Sequence, residues 1–275
     1  MKNQSARRLI GVLGGMGPAA TIDFMARITA NTIATHDQEH VPLLVHSVPQ
    51  IPDRSSAIQA GNDGPFEPMR RGIDVLVGAG ARFIAIPCNT AHFWHARLSQ
   101  NTPVPILHIA DAVIAMLTAT GGPLGKVAIM ATRGTIACDI YHTRLTQAGA
   151  EVIVPHESIQ QDVDASIAHV KGGRLDLGRI HFERAACALM QAGADRLLLA
   201  CTELPVACAH TQYQADAIDC TDALARACVA ASLGQLACVG SPDERDDLNG
   251  DALGESSDAE AIGAALFAYR PTPVT

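Results

Sequence analysis

Two cysteines in this chain close two segments of the same design. In Ala79-Gly80-Ala81-Arg82-Phe83-Ile84-Ala85-Ile86-Pro87-Cys88 and in Ala192-Gly193-Ala194-Asp195-Arg196-Leu197-Leu198-Leu199-Ala200-Cys201, the thiol stands directly behind an apolar run of buried-strand type. A polar pair follows each cysteine, Asn89-Thr90 and Thr202-Glu203, and suits the opening of a loop or helix. Each copy therefore reads as one α/β unit that presents a thiol at the carboxyl end of a strand, the edge at which open α/β sheets bind ligands. If the copies face each other, two thiols meet across one cleft. A thiol is reactive as its thiolate, which serves as nucleophile, metal ligand or proton acceptor.

Several other chemistries compete for the same residues. Gly15, Gly17 and Ala20 satisfy the loose dinucleotide fingerprint after a strand, but the next strand ends at Ser47-Val48 without the acidic residue that holds a ribose. A glycine loop at a helix amino end more simply offers backbone N–H groups to a small anion such as a carboxylate. Cys88, His92 and His95 do not form a recognised zinc spacing, and no second cluster completes a tetrahedron, so no metal is expected. Neither histidine has an acidic residue placed to orient it for a protease-like Cys-His pair, so capping or core roles are the simpler reading. Lys171, beside Gly172-Gly173, reads as a solvated lysine or carboxylate binder rather than a Schiff-base lysine, and Arg54, taken alone, reads as a surface arginine.

The elements that position these residues are legible. Strand Leu9 to Leu13, the loop Gly14-Gly15-Met16-Gly17-Pro18 and a helix from Ala19 make a βα start. A strand from Leu43 to Val48 enters Pro49-Gln50-Ile51-Pro52-Asp53-Arg54, which its prolines hold extended. A helix from Pro65 leads to the strand Phe83 to Pro87, and Val104 to His108 is a short further strand. Gly121, Gly122, Pro123 and Gly125 mark a hinge. The second unit has strands at Lys126 to Ala131, Glu151 to Pro155 and before Cys201, with helices around Val163 and Arg184. Ala217 to Asp219 reads as one more strand, followed by an Ala-rich helix that returns to the first unit. Strands alternating with helices predict parallel sheets. The expected division is a first domain at 1–120 completed by 215–240, a second at 121–214, and an extension at 241–275.

Composition bounds the partners. The 275 residues, 48% of them hydrophobic, can build a core in each unit. No charged region precedes a long apolar segment at the start, and no apolar run reaches the roughly 18 residues of a membrane span, so neither secretion nor a membrane is expected. The eight cysteines show no CxxC and no framework spacing, which fits a reducing cytoplasm. Of the formal charge of −8, the segment Ser241 to Glu260 carries −7, so the body is nearly neutral and has no basic stripe for nucleic acid. The acidic extension reads as solvated and largely disordered, with Ala259 to Tyr269 as a short helix.

Together, Gly14-Gly15-Met16-Gly17-Pro18, Pro49-Gln50-Ile51-Pro52-Asp53-Arg54, Pro87-Cys88-Asn89-Thr90-Ala91-His92 and Cys201-Thr202-Glu203-Leu204-Pro205 resemble the aspartate/glutamate racemase family, specifically its aspartate racemase branch. The likeness covers about residues 8 to 235; Met16-Gly17-Pro18 departs from the Asp-Ser pair with which the cell-wall glutamate racemases open. The resemblance implies two α/β domains related by a pseudo-twofold axis, each a mainly parallel sheet flanked by helices, with the active site in the cleft between them. It implies no cofactor, a small amino-acid substrate and a homodimer. It also implies that Cys88 and Cys201 are the acid/base pair, with Cys201 serving the L face and Cys88 the D face.

Inversion of an α-carbon needs a base on one face and an acid on the other, and a carbanion held by preorganised donors. The resemblance assigns substrate contacts to Met16, Gln50, Asn89, Thr90, Thr132, Thr135 and Thr202, to Arg54 and Lys171 as a cationic clamp, and to Glu203 as partner of the ammonium or of the second site. Each of these threonines caps a helix as readily as it touches a ligand. A helix opening beside a catalytic cysteine would favour its thiolate. Two cations favour an acidic side chain, with aspartate first and glutamate second. The readings kept beside this one are a broad-specificity racemase, a maleate cis-trans isomerase and a catalytically silent diacid or amino-acid binding protein; an arylmalonate decarboxylase would need only one of the two cysteines.

Overall fold

The computed structural model describes residues 7–119 and 121–235. The acidic extension and the helix expected at Ala259 to Tyr269 lie outside the described residues. The first half runs β1 (Ile10–Gly14), α1 (Pro18–Asn31), β2 (Leu43–Ser47), α2 (Arg54–Gln59), α3 (Phe66–Gly78), β3 (Phe83–Ala85), α4 (His95–Gln100), β4 (Ile106–Leu107) and α5 (Ile109–Thr118). The second runs β5 (Lys126–Ala131), α6 (Arg133–Ala137), α7 (His142–Gln147), β6 (Glu151–Ile153), α8 (Glu157–Lys171), α9 (Leu175–Gln191), β7 (Arg196–Ala200), α10 (Leu204–Cys208), β8 (Ala217–Asp219) and α11 (Cys220–Ser232).

Each half holds a four-stranded, all-parallel sheet, ordered β2-β1-β3-β4 and β6-β5-β7-β8. The two orders are the same, as a repeated α/β unit requires. The turn glycines of the two cysteine segments also match, since Gly80 and Gly193 both adopt φ of 94°, a left-handed conformation that ends α3 and α9 without a Cβ clash.

Strand periodicity sorts the side chains into three cores. Val127, Ile129 and Ala131 of β5 join Phe83 and Ala85 of β3 and Leu224 of α11 in a core shared by both sheets. The alternate residues Ala128 and Met130 face α8 and α9 on the outer side of the second sheet. Ile84 and Ile86 do the same against α3 on the first. The Ala-rich α11 packs on α1 and α5. That shared core ties the two sheets together. Among the described residues no helix is long and apolar enough to cross a membrane.

In a sheet ordered this way, the crevice at the carboxyl ends of the two central strands is the topological switch point, where α/β sheets bind ligands. β1 lies beside β3 in one half and β5 beside β7 in the other. The chain leaves these four strands at Gly15, Ile86, Thr132 and Cys201. The fold therefore delivers the glycine loop, Cys88, Thr132 and Cys201 to facing edges.

Candidate active site

Both thiols line one cavity, together with Met16, Arg54, Asn89, Thr90, Thr132, Lys171, Thr202 and Glu203. Cys88 and Cys201 are buried, at 6% and 7% exposure, and neither is in a disulfide. Two expected site residues lie elsewhere. Gln50 is exposed in the turn after β2 and does not line the cavity. Thr135 sits one layer behind, where its hydroxyl bonds Thr90 Oγ1 at 2.9 Å and Thr132 Oγ1 at 3.1 Å. Asp53, Ser55 and Ala200 line the cavity without having been foreseen. Asp53 carried a readable signal, for an aspartate that accepts from the N–H of the residue three positions on is a helix cap, and Asp53 Oδ1 accepts from Ser56 N at 2.8 Å to open α2.

The cavity is small, with a volume of about 20 Å³ that suffices for roughly one water. Contacts across the cleft narrow it. Thr90 Oγ1 lies 3.0 Å from Thr132 Oγ1, and Ser55 Oγ donates to Thr132 Oγ1 at 3.3 Å. Thr132 also caps α6, accepting from Thr135 N at 3.2 Å. Its hydroxyl thus serves as cap and cleft wall at once.

Charge is distributed unevenly around the two thiols. The Cys201 Sγ donates to Glu203 Oε2 at 3.0 Å, and Thr202 Oγ1 donates to the same oxygen at 3.2 Å. Burial and the Glu203 carboxylate push the Cys201 thiol well above its ordinary pKa, against the opposing pull of Lys171. The expected helix effect is therefore overruled at Cys201: α10 begins only at Leu204, and the closest charge is negative. Lys171 ends α8, as expected, and projects into the cavity wall. Burial alone would lower its pKa, but Glu203, Cys201 and Cys88 outweigh burial and raise it, so Lys171 stands charged beside both thiols.

Arg54 is fixed by main-chain carbonyls. Its Nη1 donates to Ile51 O at 3.2 Å and Pro52 O at 3.1 Å, and its Nη2 to Met16 O at 3.1 Å, while Nε is buried without a partner. Burial would raise the Asp53 carboxylate, but the Ser56 donors, Arg54 and Lys171 hold it below the usual range.

The glycine loop is less open to an anion than its sequence implies, because Gly15 N donates to Thr21 Oγ1 at 2.9 Å. A Cβ on Gly15 would lie 2.4 Å from Val48 N, so only glycine fits there. The Glu203 carboxylate approaches the loop, its Oε1 lying 3.9 Å from where a Cβ on Gly17 would stand. Buried His92 and half-buried His95 do not line the cavity, and their Nε2 atoms lie 3.2 Å from Ile86 O and 2.8 Å from Ile106 O. Among the described residues, no group of three or more His, Cys, Asp or Glu side chains could hold a metal.

Comparison with known proteins agrees with this fold. The family described as Asp/Glu/Hydantoin racemase matches residues 13–228. The chain belongs to that family. An aspartate racemase of Picrophilus torridus is similar in structure, with a TM-score of 0.73 and 31% identity over 82% of this chain and 94% of that one. A broad specificity amino-acid racemase of Bacillus subtilis is 28% identical over 82% of this chain and 98% of its own length. A glutamate racemase of Francisella tularensis, in complex with D-glutamate, shares the fold alone, with a TM-score of 0.61 at 14% identity over 98% of this chain and 96% of that one. The racemase family thus accounts for the doubled sheet and the cleft between its halves.

Proposed function

We propose that the protein is a cofactor-independent amino-acid racemase that interconverts L- and D-aspartate, with glutamate as the second substrate. The observation that carries this reading is the convergence of two thiols, one from the end of β3 and one from the end of β7, on a single cavity that also contains Arg54 and Lys171. The substrate lies with its α-carbon between the sulfurs. The thiolate of one cysteine takes the α-proton, and the thiol of the other delivers a proton to the opposite face. Burial and the Glu203 carboxylate favour the protonated form of Cys201. It therefore serves as acid when Cys88 serves as base, and the roles exchange with each turnover.

The α-proton of an amino acid is weakly acidic, so the charge that moves onto the carboxylate must meet fixed donors in a dry cleft. Asn89, Thr90 and Thr132 are those donors, while the Thr202 hydroxyl is engaged by Glu203, and the small volume of the cavity excludes water. Glu203 receives the substrate ammonium or orients Cys201. Arg54 and Lys171 receive the side-chain carboxylate, which favours an acidic substrate over a neutral one. The hinge at 121–125 lets the halves part for substrate entry. The broad specificity of the Bacillus subtilis relative makes a neutral amino acid the necessary control.

The test is incubation of the purified protein with L-aspartate in D2O, without pyridoxal phosphate and with EDTA present. α-Deuterated aspartate and D-aspartate are expected together, and prior thiol alkylation abolishes both. A protein that forms neither is a binder rather than a racemase, and activity that returns only on adding metal or pyridoxal phosphate overturns the cofactor-independent reading.

A further inference from the structure

Asn89 lines the cavity with one end of its amide engaged and the other unpartnered. The side chain is 3% exposed, its Oδ1 accepts a hydrogen bond from the Tyr141 hydroxyl, and its Nδ2 is buried without a partner. Tyr141 comes from the other half of the molecule, just before α7, and is 1% exposed. It belongs to the shared core together with Ile140 and Leu145. The Cys220 thiol, at the start of α11, contacts the same phenol. Burial first and the Cys220 thiol second hold the phenol well above its ordinary pKa, so it remains a neutral O–H donor.

We propose that Tyr141 is a positioning residue that fixes the Asn89 amide with its N–H end toward the substrate. A primary amide has a donor end and an acceptor end of nearly equal size, so sterics alone do not choose between them. A donating phenol does, because it demands the carbonyl oxygen and leaves Nδ2 to face the cavity. The unmet donor is then available to a carboxylate whose negative charge grows as the α-proton leaves. With the amide reversed, an oxygen would face that charge. Because the two residues belong to different halves, the packing of the halves against each other sets the polarity of one cavity wall. The assignment of the carboxylate as Asn89's partner rests on the racemase reading; the orientation of the amide does not.

Tyr141→Phe keeps the ring in the core and removes the hydroxyl. We expect kcat for aspartate to fall about ten- to hundredfold with KM changed far less, as for a donor whose bond strengthens in the transition state. On an Asn89→Ala background the same substitution should cost nothing further, because its effect acts through Asn89. A kcat within twofold of wild type, or an equal loss on both backgrounds, overturns the proposal. A second readout is independent of turnover. The Asn89 side-chain amide in 15N-labelled protein, assigned by its disappearance in Asn89→Ala, should give one pair of N–H signals that malonate shifts, and Tyr141→Phe should broaden or split that pair. An unchanged pair in Tyr141→Phe overturns the positioning role even if the wild type forms no D-aspartate, an outcome that would overturn the racemase reading alone.

Discussion

Gly134→Ala separates the closure of the cleft from the stability of the fold. Gly134 lies in α6 and does not line the cavity, yet a Cβ at this position would stand 2.8 Å from Ser55 Oγ, 3.0 Å from Ser55 Cα and 3.1 Å from Ser55 Cβ. A rotated hydroxyl relieves only the first contact; the other two require α2 to withdraw from α6 by several tenths of an ångström. Overpacking of this kind costs about 1 to 3 kcal/mol. Because Gly134 and Ser55 belong to opposite halves, that cost falls on the closed state, and at about 1.4 kcal/mol per factor of ten it lowers the closed population about five- to 150-fold. Within α6 itself alanine is a better helix former than glycine, by up to about 1 kcal/mol. We therefore expect kcat/KM for aspartate to fall by that factor while the thermal midpoint is unchanged or raised. Steady-state racemisation and thermal unfolding on the same preparation measure both. A kcat/KM within twofold of wild type would refute the close approach of α2 and α6 as a requirement for catalysis, and a large drop in midpoint would place the strain in the fold rather than in closure.

Arg54→Ala and Lys171→Ala should each lower kcat/KM for aspartate at least about tenfold, roughly 1.4 kcal/mol, and affect alanine less; wild-type enzyme that racemises alanine as well as aspartate would make this a broad-specificity racemase. Stability should also fall with acid. Burial foremost, then His95 and Arg144, hold His92 down at about 3, and burial lowers His95 and His108 as well. Each folded value lies below the unfolded value of about 6.5, so the unfolded chain binds more protons, and the stability present above about pH 6.5 is lost as pH falls through it. Between pH 7 and pH 5 His92 alone accounts for about 2 kcal/mol, readable as a lower urea midpoint; a midpoint that does not move would show that the cluster is not neutral in the folded state.

Much of the scaffold was legible because buried parallel strands leave continuous apolar runs. Lys126–Ala131 and Ala217–Asp219 form strands with the bounds their sequence implies. The Cys88 strand is shorter than its apolar run, ending at Ala85, where Pro87 has no N–H to extend the ladder. Both cysteines were found through a local pattern repeated in the chain. What stayed hidden depends on long-range approach. Tyr141 and Asn89 lie 52 positions apart, and no local spacing announces that contact. Gln50 shares its loop with Arg54, yet the turn directs it outward. The carboxylate at Cys201 was visible as Glu203, but only the folded geometry reveals that it opposes, rather than assists, ionisation of the thiol.

The central claim is that each face of the α-carbon has its own sulfur. The most direct measurement follows L- and D-aspartate separately in D2O with Cys88→Ala and Cys201→Ala, recording α-deuteration and enantiomer conversion in the same samples. Neither variant should racemise, and each should retain solvent exchange with only one enantiomer: L-aspartate when Cys201 remains and D-aspartate when Cys88 remains. Near-normal racemisation by either single variant would contradict the two-base account.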